Sequence, residues 1–142
     1  MYEKVPNVFI SSYDSNKKVS SITDAQLHGV CVAWSISPAH YYIYFDGTKE
    51  YYGTHTVSSL IQGKAKFLLG QNLNPDGSID SASSFVGNIT HLNIWTNMLN
   101  ESTMAKYSLP NCGTERGDLV SWPQFKPWMT GVEVNEPTEC QP

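Results

Sequence analysis

Three cysteines, four histidines, two glycosylation sequons and one polar loop are the groups in this 142-residue chain that could do chemistry. Cys31, Cys112 and Cys140 lack the C-x2-C or H-x3-H spacing of a zinc site. His28 and Cys31 stand three apart with no second pair nearby, so they read as strand residues rather than ligands. Outside the cell an odd cysteine count implies one bridge and one orphan. Cys112 and Cys140 lie in Pro-rich, loop-like stretches, and a bridge between them would close a loop of about thirty residues, worth a few kcal/mol. In a reducing compartment all three would be free thiols. Asn88-Ile89-Thr90 and Asn100-Glu101-Ser102 are sequons that matter only in the secretory pathway. Residues 71–84 form the long polar loop, and binding residues concentrate in such loops.

Catalytic patterns are sparse. A glycosidase, the enzyme alternative on a sandwich fold, needs two carboxylates about 5–9 Å apart across a cleft. The stretch Phe85 to Trp95 carries no acid, and Val132-Glu133-Val134 carries one. Nucleophile elbows, phosphate-binding loops and H-E-x-x-H are missing. His91 reads as a hydrogen-bonded strand residue rather than a base. The chain is therefore read as a non-enzyme.

These groups need a scaffold, and its outline is visible. Length fits one domain with a sizeable core. Charged residues are 15% of the chain, below the roughly 25% of an average domain. Aromatics at 12% argue against disorder. The net charge is −4 and Arg116 is the single arginine, so the clustered cations of a nucleic-acid binder are missing. No apolar run reaches the about 18 residues that span a bilayer. The N-terminus lacks the pattern of a signal peptide, so the chain is either a piece of a longer secreted protein or stays inside the cell.

Short apolar and alternating runs separated by turns predict an all-β protein. Val30 to Trp34 reads as a strand buried on both faces. Tyr41 to Phe45, the turn Asp46-Gly47, and Thr48 to Tyr52 read as a hairpin, because Asp-Gly suits the positive φ angles of a type I′ turn. Lys66 to Leu69, Phe85 to Trp95, Leu119 to Trp122 and Gly131 to Val134 read as further strands, with Val5 to Ser12 and Val19 to Ile22 as weaker candidates. One helix is predicted near 100–107: Asn100 caps the donors of Ser102 and Thr103, and Pro110 follows its end.

Six motifs together resemble the pentraxin domain, a relative of the laminin G-like group. They are Val30-Cys31-Val32-Ala33-Trp34, Tyr44-Phe45-Asp46-Gly47, Leu68-Leu69-Gly70-Gln71, Ser84-Phe85-Val86-Gly87-Asn88-Ile89, Leu92-Asn93-Ile94-Trp95 and Val120-Ser121-Trp122. Order and spacing both agree, over roughly Leu27 to Val134. The resemblance implies a lectin-like jelly-roll sandwich of two antiparallel sheets, incomplete at the N-terminus. Residues 1–26 are a weakly matched segment and 27–142 the pentraxin-like domain. It implies an extracellular recognition or adhesion module, secreted or on a cell surface, that binds a protein or glycan without catalysis. The runner-up is a calcium-dependent, ring-forming soluble pentraxin acting in pattern recognition.

Three departures from the family pattern shape the expectations. Such sandwiches run to roughly 200 residues, so strands are missing here and apolar inner faces should be exposed. Cys31 resembles one half of a family bridge whose other half would lie upstream, where this chain has no cysteine. It is expected to be unpaired. The family's calcium loop maps onto Asn72, Leu73 (through its carbonyl), Asn74, Asp80 and Ser83, with Asp76 as a substitute acid. Calcium takes six to eight oxygens and its affinity rises with ligand charge. One carboxylate among five positions implies millimolar binding or weaker. Two further ligands would come from an upstream loop that is absent here or reduced to Asp14 and Asn16.

Overall fold

The computed structural model describes residues 7–10, 13–18, 24–56, 68–110 and 115–134. Among them the architecture is all-β and antiparallel, with one short α-helix. The strands are β1 (Asn7–Ile10), β2 (Tyr13–Lys18), β3 (Val30–Ile36), β4 (Ala39–Phe45), β5 (Thr48–Thr54), β6 (Asn72–Leu73) and β7 (Ile79–Asp80), and the helix is α1 (Glu101–Tyr107). They form a β1–β2 ribbon, a three-stranded sheet in the order β3-β4-β5, and a small β6–β7 hairpin.

Register decides what each face of the main sheet presents. Val32 opposes Ile43 and Trp34 opposes Tyr41, while Ile43 also opposes Tyr51 on β5. Side chains alternate along a strand, so these share one face. Tyr41, Ile43 and Phe45 are buried there, with Val32 and Tyr51 packed against them. Central β4 carries the core. β3 differs from the expectation of burial on both faces: it lies at the edge of this sheet, and Val30 and Trp34 are exposed. Phe85, Val86 and Ile89, outside any strand, are exposed too.

The Asp46-Gly47 turn forms as predicted, with φ of 47° and 80°. It is also a junction. Asp46 N–H donates to Gly29 O at 3.0 Å, and Gly29 N–H donates to Asp46 Oδ1 at 2.9 Å. Gly47 N–H reaches Ser108 O at 3.1 Å, at the end of α1. Three segments of the chain therefore meet at one point.

On the opposite face of the sheet α1 packs against β3 and β4. Its N-terminus is capped by Asn100, whose Oδ1 accepts from Thr103 N–H at 2.9 Å and from the Ser102 hydroxyl at 2.7 Å. Met104 is its buried residue, and Tyr107 stacks on Trp95 with ring centroids 5.4 Å apart. The cap is worth about 1 kcal/mol. Asn100→Ala should therefore lower unfolding free energy by about that amount, read as a shift of the urea midpoint at constant slope.

Several predicted strands are not strands. Among the described residues Phe85 to Trp95 pairs only through the isolated bridge Ile94–Val120. Gly87 at φ 153° and His91 at φ 55° turn the backbone out of the extended conformation. Leu119 to Trp122 contributes only Val120 to that bridge, and Trp122–Trp128 is a 3-10 helix. Gly131 at φ 67° turns the chain within the predicted strand Gly131 to Val134. Leu68 and Leu69 lie outside any strand, while Lys66, Phe67 and the Val19 to Ile22 candidate fall outside the described residues.

Candidate functional site

The predicted loop folds into the β6–β7 hairpin, and register sets Asn72 opposite Asp80 and Leu73 opposite Ile79. Asn74 opens the turn: its N–H donates to Ser78 O at 2.9 Å and its Nδ2 donates to Ser78 Oγ at 3.0 Å. Asp76 Oδ1 accepts from Ser78 N–H at 2.9 Å and from the Ser78 hydroxyl at 2.7 Å. Asp80 begins a 3-10 turn at Ser81–Ser83, accepting from Ala82 N–H at 3.0 Å and from the Ser83 hydroxyl at 2.6 Å. The Ser83 hydroxyl, then the Ala82 amide, hold the Asp80 carboxyl below the usual range. The Ser78 hydroxyl and amide do the same for Asp76.

The loop therefore brings Asn72, Asp80 and Ser83 to one end of the hairpin. As arranged, the five residues make a charge-poor set for calcium. The ion needs six to eight oxygens. The set holds one carboxylate, and both Asp80 oxygens already serve neighbouring donors in the loop. Among the described residues no group of three or more His, Cys, Asp or Glu could hold a metal ion.

The outer face of the sheet is a surface that sequence reasoning did not single out. His40, Tyr42 and Tyr44 alternate with Tyr41, Ile43 and Phe45 along β4; Tyr44 is itself buried, and Tyr42 opposes Tyr52. Tyr42 and Tyr52 rings lie 5.0 Å apart, His40 meets Tyr42 edge-on at 5.2 Å, and Lys49 Nζ sits 5.7 Å from the Tyr42 ring. Tyr52 is 63% exposed. Glu101 closes the patch on the α1 side, accepting from Lys49 Nζ at 2.6 Å and from the Tyr44 hydroxyl at 3.2 Å. Lys49 and Glu101 are both exposed, so their pairing adds little stability. The signal was the period of two through Ala39 to Phe45, which puts rings on both sides of one strand.

Among the remaining sequence candidates, Asn88 and Asn100 are both exposed. Cys31 is a free thiol, and burial pushes it up to about 11. Cys112 and Cys140 fall outside the described residues. His91 belongs to no strand: its Nδ1 lies 2.7 Å from Thr90 Oγ1 and its ring stacks on Trp122. Among the described residues no helix is long and apolar enough to cross a membrane.

A family model for the pentaxin (pentraxin) family matches residues 4–137 of this chain. The chain belongs to the pentaxin family. This pentaxin is 28% identical over 128 residues to the rat "Sushi, von Willebrand factor type A, EGF and pentraxin domain-containing protein 1". It is 30% identical over 105 residues to human neuronal pentraxin-1 and 26% identical over 104 residues to human neuronal pentraxin-2. The first alignment covers 87% of this chain and 4% of that relative, and each of the two neuronal pentraxin alignments covers 71% of this chain and 24% of the relative. The pentaxin chain thus spans a small part of the length of the relatives it matches. No solved structure matches it significantly.

Proposed function

We propose that this pentaxin domain is a non-enzymatic recognition module that works outside the cell within a larger protein, binding an extracellular protein or glycan. The family match over residues 4–137 carries the reading. In it, residues 27–142 form the pentraxin-like domain and 1–26 a weakly matched segment that the family match enters at residue 4. Cys112 and Cys140 bridge the C-terminal tail, and Asn88 and Asn100 carry glycans. The aromatic outer face of β4 and β5 supports recognition by contact, since rings with polar tips offer area at low entropic cost. The self-bonded β6–β7 loop supports recognition without a metal.

The test is a thermal melt of the chain in several millimolar calcium and again in chelator. A ligand at one hundred times its dissociation constant adds about 2.7 kcal/mol to the native state. Superimposed melts are expected. A calcium-dependent rise in melting temperature would overturn the metal-free reading in favour of the calcium-dependent, ring-forming one.

A further inference from the structure

His28 heads the stretch His28-Gly29-Val30-Cys31-Val32-Ala33-Trp34, and the recognition reading gives its ring no role. Its Nδ1 lies 2.7 Å from Asp46 Oδ2, and its Nε2 lies 2.9 Å from Asp24 Oδ1. The ring stacks on Phe45 with centroids 5.0 Å apart, and the side chain is only 15% exposed. A carboxylate only accepts hydrogen bonds. A neutral imidazole has one N–H and one bare lone pair, so it can satisfy one of these two acids and not both. The geometry calls for a ring that is protonated on both nitrogens.

We infer that His28 is a pH-sensitive clamp fastening residues 24–29 to the β4–β5 turn and, through it, to the end of α1. Asp46 is the hinge of that clamp, because its other oxygen holds Gly29 N–H while Gly47 next to it bonds Ser108. Among the described residues the charged groups at the ring are Asp24 and Asp46. Phe45 from β4 and Ser108 and Leu109 after α1 bring no charge. The charged side chains of α1 pair elsewhere, Glu101 with Lys49 and Lys106 with Glu115 at 3.6 Å.

The sign follows from linkage. The hydrogen bond to Asp46, then that to Asp24, raises His28 above its ordinary 6.5. The folded chain therefore holds this proton more tightly than the unfolded chain. The clamp's contribution is complete below pH 6.5 and is lost as pH rises through the folded-state value. On proton loss one carboxylate faces a lone pair. Asp24, the more exposed of the two acids, is the one released.

Two measurements decide the matter. Melting temperature is followed against pH for the wild-type chain and for His28→Gln. The wild type should lose melting temperature relative to the variant across the window above pH 6.5. Parallel profiles would overturn the clamp. The second is NMR titration of the His28 ring, which needs no His28 variant to fold. Its midpoint should lie above 6.5 and fall in Asp24→Asn, a change at an exposed side chain. A midpoint at or below 6.5, or one indifferent to Asp24→Asn, would equally sink the idea.

Discussion

Gly29→Ala should cost the domain about 3 kcal/mol, the upper end of what a single added methyl costs by overpacking. A Cβ at Gly29 would lie 2.3 Å from Ser108 O, 2.6 Å from Ser108 C and 2.7 Å from Leu109 O. All three atoms are backbone, so no rotamer change relieves the clash. Relief requires the end of α1 to lift off the Asp46-Gly47 turn. That motion would stretch the Gly47 N–H bond to Ser108 O, and Ser108 is itself fully buried. Gly29 does not sit at positive φ, so the penalty is one of space rather than of backbone conformation. Gly77 gives the matching control: its φ is 84° and nothing lies within 4 Å of its would-be Cβ. Gly77→Ala should lose only the roughly 1–2 kcal/mol of left-handed backbone strain. Urea denaturation of the two variants reads the difference directly. Equal losses would mean that α1 is not seated against Gly29.

Ile43→Ala should be at least as damaging, at about 4 kcal/mol. Ile43 is 0% exposed at the middle of the central strand, between Val32 on β3 and Tyr51 on β5. Tyr41 and Phe45 flank it on the same face. Those rings are held by strand register, so they cannot collapse into the space that three lost carbons leave. The cost is then transfer free energy plus a cavity. Tyr52→Ala, one strand away on the outer face, should stay within about 0.5 kcal/mol because that ring is already 63% exposed. Chemical unfolding of the pair tests which face of the sheet holds the fold together. A small loss at Ile43 would place the core elsewhere.

The elements that were legible in the sequence are those whose signal is local. Asp46-Gly47 announces its turn because both residues tolerate positive φ, and the structure places both there. Asn100 and Pro110 bracket α1 in the same way, through a side-chain acceptor at one end and an imide at the other. Phe85 to Trp95 was misread because apolar alternation reports burial preference, not dihedral angle. The reversals at Gly87 and His91 leave no mark in the hydrophobic pattern. The reading of Leu119 to Trp122 as a strand leaves out Pro123 and Pro127, which lack amide donors and lie in the 3-10 helix Trp122–Trp128. The polar loop was legible as a loop. Its inner bonding, with Asp80 spent on Ala82 and Ser83, depends on the turn geometry and was not. The His28 pair with Asp46 spans eighteen positions and exists only because β3 and β4 are in register at Val30 and Phe45.

Cys31 has a practical consequence. Its sulfur lies in the strand at the margin of the main sheet, and burial raises its pKa to about 11. At neutral pH only about one molecule in ten thousand then carries a thiolate, the form that alkylating reagents attack. Cys31 is only partly buried, so its slowness toward such reagents comes from the scarcity of thiolate. Raising the pH toward that pKa should speed its capping in step with the thiolate fraction, which makes the single described thiol a gauge of its own surroundings.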